Sequence, residues 1–210
     1  FRIHQMEEEL DKGNFPNIHS VLIARHNKLV YEKYWPGKDE IWGQSLGVVP
    51  HAMDSLHDIR SITKSIVSAC VGIAVKQGKI KSVDQKLFDF FPEHKKYDTG
   101  WKSMLTIKHL LTMSSGLNWN EDVPYTNPEN SEIQMTESPN PIEYVLSRPM
   151  DVPPGQVWKY NGGTTQLLAA IIEKITGKKV EQFAATYLFQ PLGITKFYWV
   201  KFPGTNMPAA

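Results

Sequence analysis

The sequence predicts an α+β chain, with an antiparallel hairpin near the N-terminus and helices over most of the remaining length. Two observations predict this. Residues 19–35 read as two strands, Val21-Leu22-Ile23-Ala24 and Leu29-Val30-Tyr31-Glu32-Lys33-Tyr34, around a turn at His26-Asn27-Lys28. Residues 58–77 form one continuous run. After Lys64 that run is apolar almost all the way round, so as a helix it is expected to be buried rather than amphipathic. Strands first and helices afterwards is an α+β order.

The other elements rest on local signals. Ile3, Met6 and Leu10 keep helical spacing over residues 2–12, and Gly13 closes them. Pro36-Gly37 stops the hairpin, and residues 38–57 show no period and read as a connection. The helix at 61–77 ends at Gly78, and Leu87-Phe88-Asp89-Phe90-Phe91-Pro92 is an apolar knot. Thr106 caps a short helix to Met113, with Gly116 where a C-terminal cap belongs. Residues 117–140 carry no period and read as a long loop, of the kind that is usually functional or mobile. Asn140-Pro141 opens a helix that stops before Pro149. Thr164–Ile175 is a helix ended by Gly177, and Val180–Phe189 is another.

Composition narrows the class. With 210 residues, 41% hydrophobic, 21% charged and a net charge of +1, the chain reads as an ordinary globular protein. Nothing in that balance points to nucleic acid or to an anionic membrane surface, and no run reaches the length of a membrane span. The single cysteine, Cys70, excludes an internal disulfide and reads as a small core residue. The seven histidines show no ligand spacing, so no metal is expected. Gly162-Gly163 lacks the lysine and hydroxyl of a phosphate loop, so no cofactor is expected either.

Ser61 and Lys64 stand three apart, on one face of the first turn of the central helix. A serine with an amine in reach at a helix N-terminus can be an activated nucleophile. Desolvation favours the neutral amine, and the terminal N–H groups suit an oxyanion. The tetrad alone is weak: with 13 serines and 19 lysines, chance supplies about one such match. Ser61 as a plain N-cap is the competing reading, although it would put a cation at the third helical position, where the dipole disfavours one. Trp119, Tyr125 and Trp158 are candidates for a cleft lining or for core.

Taken together, these stretches resemble the serine β-lactamase and penicillin-binding-protein superfamily, in its class C β-lactamase-like branch. The matching stretches are Ser61-Ile62-Thr63-Lys64, Thr106-Ile107-Lys108-His109-Leu110-Leu111-Thr112-Met113-Ser114-Ser115-Gly116-Leu117, Pro154-Gly155 through Tyr160, Leu167-Leu168 to Gly177, and Pro191-Leu192-Gly193-Ile194. The resemblance implies a β-lactamase/transpeptidase-like fold: an antiparallel sheet flanked by helices, beside a mainly helical region. It implies a serine hydrolase acting through an acyl-enzyme on a β-lactam, a D-amino-acid peptide or a small ester. Ser61 would be the nucleophile, Lys64 its base and Tyr160 the proton relay. The alternative is a binding or sensor protein that acylates without turnover.

The second motif of the superfamily is usually Tyr-x-Asn, whereas here it is Tyr160-Asn161-Gly162, with Asn one place early. Asn161 and Gly162 are expected at the substrate if Gly162-Gly163 lets the backbone adjust. The bland alternative for Asn161 is a turn or cap. No Lys/His-x-Gly third motif comes after Tyr160 in a strand context. Residues 1–210 are therefore expected to be the N-terminal portion of one catalytic domain: the hairpin 19–35, the nucleophile helix 61–77 and a helical region over about 80–200. Further strands would lie beyond it. The resemblance implies export to the periplasm or cell surface, and the missing initiator Met suggests that a signal has been trimmed.

Overall fold

Each hairpin is closed by two residues with positive φ, the turn geometry that matches strand twist. In the computed structural model, which describes residues 2–210, helix α1 (Arg2–Asp11) precedes strands β1 (Ser20–Arg25) and β2 (Lys28–Tyr34). The strands pair antiparallel from Ser20↔Tyr34 to Arg25↔Lys28. His26 and Asn27 form the turn at φ 51° and 60°, and Lys28 already belongs to β2. Lys33 Nζ ties the hairpin to α1, at 2.6 Å from Glu7 Oε1 and 3.1 Å from Asp11 Oδ1.

A second hairpin, β3 (Gly37–Ile41) and β4 (Gln44–Val49), occupies part of the stretch expected to be a connection. Trp42 and Gly43 turn it at φ 50° and 79°. The sequence hid it for a physical reason. Neither of its faces is deeply buried, so Gly37-Lys38-Asp39-Glu40-Ile41 carries no apolar alternation. The two hairpins are separate two-stranded sheets. Burial pushes the Asp39 carboxyl upward, but the Glu40 amide, which donates to Oδ1 at 2.8 Å, helps to hold it below its ordinary value.

The chain divides into two compact units, Phe1–Arg60 and Ser61–Ala210. The buried apolar side chains of the described residues all belong to the second. There, helix α2 (Thr63–Lys76) comes after a 3-10 turn at Arg60–Ile62. Its buried residues are Val67, Cys70, Val71 and Ala74, a single stripe at helical spacing. The expectation of a helix buried all round is thus corrected for α2. It is met over the first half of α6 (Gly162–Thr176), which lies against α2, α3, α5 and α7 and buries every residue from Gly162 to Ala169, while Glu173 and Lys174 are exposed. Gly177, at φ 68°, ends it as predicted.

Around α6 stand α3 (Ile107–Leu111), α4 (Ser131–Glu137), α5 (Pro141–Ser147) and α7 (Val180–Ala184). Thr106 caps α3 as predicted: its Oγ1 accepts from the His109 amide, and His109 Nδ1 accepts from the Thr106 amide. Asn140 caps α5. Helix α4 is a correction, since it lies inside the stretch read as a loop. Asn130 starts it by accepting from the Glu132 and Ile133 amides. The helix expected over Val180–Phe189 is α7 continued by a wider turn at Ala185–Phe189. Cys70 is fully buried, and burial pushes its thiol up to about 11, as suits a core residue.

Candidate active site

Ser61 lies in the 3-10 turn that leads into α2, so it is not the helix N-cap. That place falls to Ile62, and no side chain caps the helix. The competing reading of Ser61 as a capping residue therefore fails. Lys64 is the second residue of α2, and its Nζ donates to Ser61 Oγ at 3.1 Å. Ser61 is exposed and Lys64 partly exposed, so the desolvation expected around the amine is only partial.

Tyr160 arrives from 99 residues away, and its hydroxyl bonds to Ser61 Oγ. Lys64 Nζ also sits 5.2 Å from the centre of the Tyr160 ring, within cation–π range. Local backbone bonds explain how Tyr160 is held. The Gly155 amide donates to Ser114 O at 2.7 Å, and the Lys159 amide to Met113 O at 2.8 Å. This fixes residues 155–159 along the turn that comes after α3. Gly116 makes the approach possible: at φ 74°, a side chain there would place Cβ 2.1 Å from the Val152 carbonyl.

On the far side of Tyr160, Asn161 caps α6. Its Oδ1 accepts from the Thr164 amide at 3.1 Å, and the residue is 1% exposed. The cap alternative thus describes the geometry of Asn161. Its Nδ2 is buried with no partner. Gly162 donates its amide to Glu121 Oε2 at 2.8 Å, and a Cβ on it would come within 3.1 Å of both Glu121 Oε1 and Glu132 Oε2.

Glu121 and Glu132 are residues that sequence reasoning missed. Glu121 Oε2 accepts from the Trp119 indole at 2.8 Å as well as from Gly162. Its Oε1 is buried and receives no N–H or hydroxyl. Burial, then hydrogen bonding and repulsion from Glu121, push Glu132 up to about 8, while the Lys64 ammonium pulls the other way. A protonated Glu132 donating to Glu121 Oε1 satisfies that orphaned oxygen and removes one of two adjacent buried charges. Burial first, and then these two carboxyls, also drive the Tyr125 hydroxyl upward. No motif marked the pair: it comes from a stretch without period, and only folding brings Glu121 beside α4. Of the three aromatic candidates, Trp119 is core, at 0% exposed, whereas Tyr125 and Trp158 are exposed.

A serine hydroxyl held by an amine and a phenol is an arrangement for nucleophilic attack on a carbonyl. Comparison with known proteins agrees with the class. The chain belongs to the Beta-lactamase family, which it matches over residues 4–202. It is 25% identical over 181 residues to Esterase EstB of Burkholderia gladioli, covering 82% of this chain and 44% of that protein. Over 204 residues it is 25% identical to an Escherichia coli (strain K12) protein provisionally named a D-alanyl-D-alanine carboxypeptidase, covering 92% of this chain and 46% of that one. The octameric penicillin-binding protein homologue from Pyrococcus abyssi superposes with a TM-score of 0.64 at 24% identity, over 94% of this chain and 44% of that one. The β-lactamase/transpeptidase-like fold is therefore shared. The chain spans less than half the length of these relatives.

Proposed function

We propose that Ser61 is the nucleophile of a serine hydrolase that acts through an acyl-enzyme on an ester or amide. The observation that carries this reading is the convergence of Lys64 and Tyr160 on Ser61 Oγ. As Oγ attacks the carbonyl carbon, its proton passes to whichever of Lys64 and Tyr160 is in its basic form. The carbonyl π electrons move onto oxygen as a tetrahedral oxyanion. Collapse of that oxyanion breaks the bond to the leaving group, which takes its proton through Tyr160. Water then cleaves the acyl-serine by the reverse proton path, with Lys64 and Tyr160 again beside Oγ. Asn161 would donate to the substrate through Nδ2 after an adjustment of the backbone at Gly162-Gly163, since that amide group is now buried and without a partner. Esters and amides both stay within the proposal, since the relatives are named for both.

The test is intact-mass labelling with a serine-directed acylating probe, run beside a panel of esters, β-lactams and D-amino-acid peptides. The wild-type chain should gain one probe mass and Ser61→Ala none. Stability should hold within about 0.5 kcal/mol, since the lost hydroxyl caps nothing. Labelling of the Ala variant at the wild-type rate would rule Ser61 out. Lys64→Met keeps the stem and removes the amine, and should slow acylation by at least about a hundredfold. An unchanged rate would reduce Lys64 to an ordinary residue of the first helical turn.

A further inference from the structure

We propose that His19, Asp39, His51 and His57 form a four-ligand site for a divalent transition-metal ion of zinc's preferences, built into the N-terminal unit as a structural staple. One donor atom from each of the four lies within 4.8 Å of the others. Two of the separations match the edge of a tetrahedron around one ion, and a third is somewhat wider. His51 Nε2 is 3.3 Å from Asp39 Oδ2, and His19 Nδ1 is 3.4 Å from His57 Nδ1. His57 Nδ1 is 3.8 Å from Asp39 Oδ2. A zinc ion held at about 2.0–2.1 Å separates its donors by about 3.3–3.4 Å.

The hydrogen bonds around the cluster determine which atoms are available. His51 Nδ1 is 2.9 Å from the Trp35 carbonyl, so it carries the hydrogen and donates it. Its Nε2 then presents a lone pair to an acceptor-only carboxylate, and two lone pairs at this distance need a cation between them. The His51 side chain is 1% exposed and that of Asp39 12%, so water does not readily supply one. A ring nitrogen oriented by a backbone carbonyl through the opposite nitrogen is the usual support for a metal ligand. His19 has no partner at Nε2, which leaves Nδ1, on the side of the cluster, as its bonding atom.

A proton on His51 is the competing cation, and it would account for the His51–Asp39 contact alone. It does not account for three imidazoles gathered with centres 4.0, 4.6 and 5.2 Å apart. A metal uses neutral rings and gains from each. The rings lie within 27° of parallel, so binding requires them to fan out about their outer side-chain torsions, which are broad for histidine. Gly37 makes room for the cluster, since a Cβ there would fall 2.6 Å from the His19 ring. Among the described residues the unit buries no apolar side chain fully. The four ligands come from before β1 (His19), from β3 (Asp39) and from the segment that follows β4 (His51 and His57). One ion would therefore clamp both hairpins. The expectation of no metal rested on spacing along the chain, and these ligands are gathered only by folding.

The test uses the whole chain, untagged, stripped with a chelator and titrated with Zn²⁺ or Co²⁺ alone. Expected are one equivalent of Zn²⁺ by calorimetry, the strong visible bands of tetrahedral cobalt, and a thermal midpoint that rises with Zn²⁺. His57→Gln and Asp39→Asn should each weaken binding beyond the roughly 10- to 100-fold cost of losing an outer partner, and should abolish the cobalt bands. His51→Gln also loses a bond to Trp35. If it fails to fold, His57→Gln decides, because that side chain is partly exposed. Absence of stoichiometric binding to the wild type overturns the proposal, as does unchanged affinity in His57→Gln and Asp39→Asn.

Discussion

The two units of the chain are stabilised by different means. Ser61–Ala210 has an apolar interior in which Trp119, Phe91, Phe183 and the first half of α6 are enclosed. Phe1–Arg60 consists of two hairpins and a helix tied by ion pairs such as Lys33 to Glu7 and Arg60 to Glu40 and Asp58, with Leu22 and Val48 more than half exposed. Exposed ion pairs contribute little, of order 0–1 kcal/mol each, whereas a buried aromatic contributes several times that. The difference also shows where precise placement of groups is feasible. Ser61, Lys64 and Tyr160, the groups of the proposed mechanism, all belong to the unit with the packed core, which restrains the backbone turns that carry them.

The strongest way to break this comparison is through the core. Trp119→Ala should cost about 3–5 kcal/mol, read from the denaturant midpoint. A loss under about 1 kcal/mol would mean that the C-terminal unit is not the packed half. A smaller effect, confined to a window of pH, is expected from Glu132. Its folded pKa of about 8 stands above the ordinary 4.5, so its contribution is fully present below 4.5. Between 4.5 and about 8 the folded state holds a proton that the unfolded state has released. Stability should therefore fall as pH rises, by about 1.4 kcal/mol per unit of pH at most. Glu132→Gln keeps the neutral form and should flatten that slope. A variant with the wild-type slope would show that the proton sits elsewhere. The smallest effect belongs to the N-terminal unit. Val48 is 68% exposed, so Val48→Ala should change stability by no more than about 0.5 kcal/mol. A loss above about 1 kcal/mol would show that β4 is covered in solution.

By itself the sequence determined the features that depend on neighbours along the chain. The turn at His26-Asn27, the caps at Thr106 and Asn140 and the stop at Gly177 are set within a few residues, and each formed where its local chemistry placed it. Ser61 and Lys64 were legible for the same reason, since residues three apart on a helical turn always meet. Tyr160 could be named only through resemblance, because nothing local says that it lies 99 residues from its partner. Tertiary structure decided the rest. Helices α2 and α6 carry similar apolar runs, and only packing made α6 the enclosed helix and left α2 with one buried stripe. The β3–β4 hairpin escaped reading because apolar alternation records a buried face, and this hairpin has none. Glu121 with Glu132, and His19 with Asp39, His51 and His57, are juxtapositions across loops and hairpins. Their spacing in sequence carries no trace of them, because a side chain's proximity to a distant residue is fixed by the path of the folded backbone.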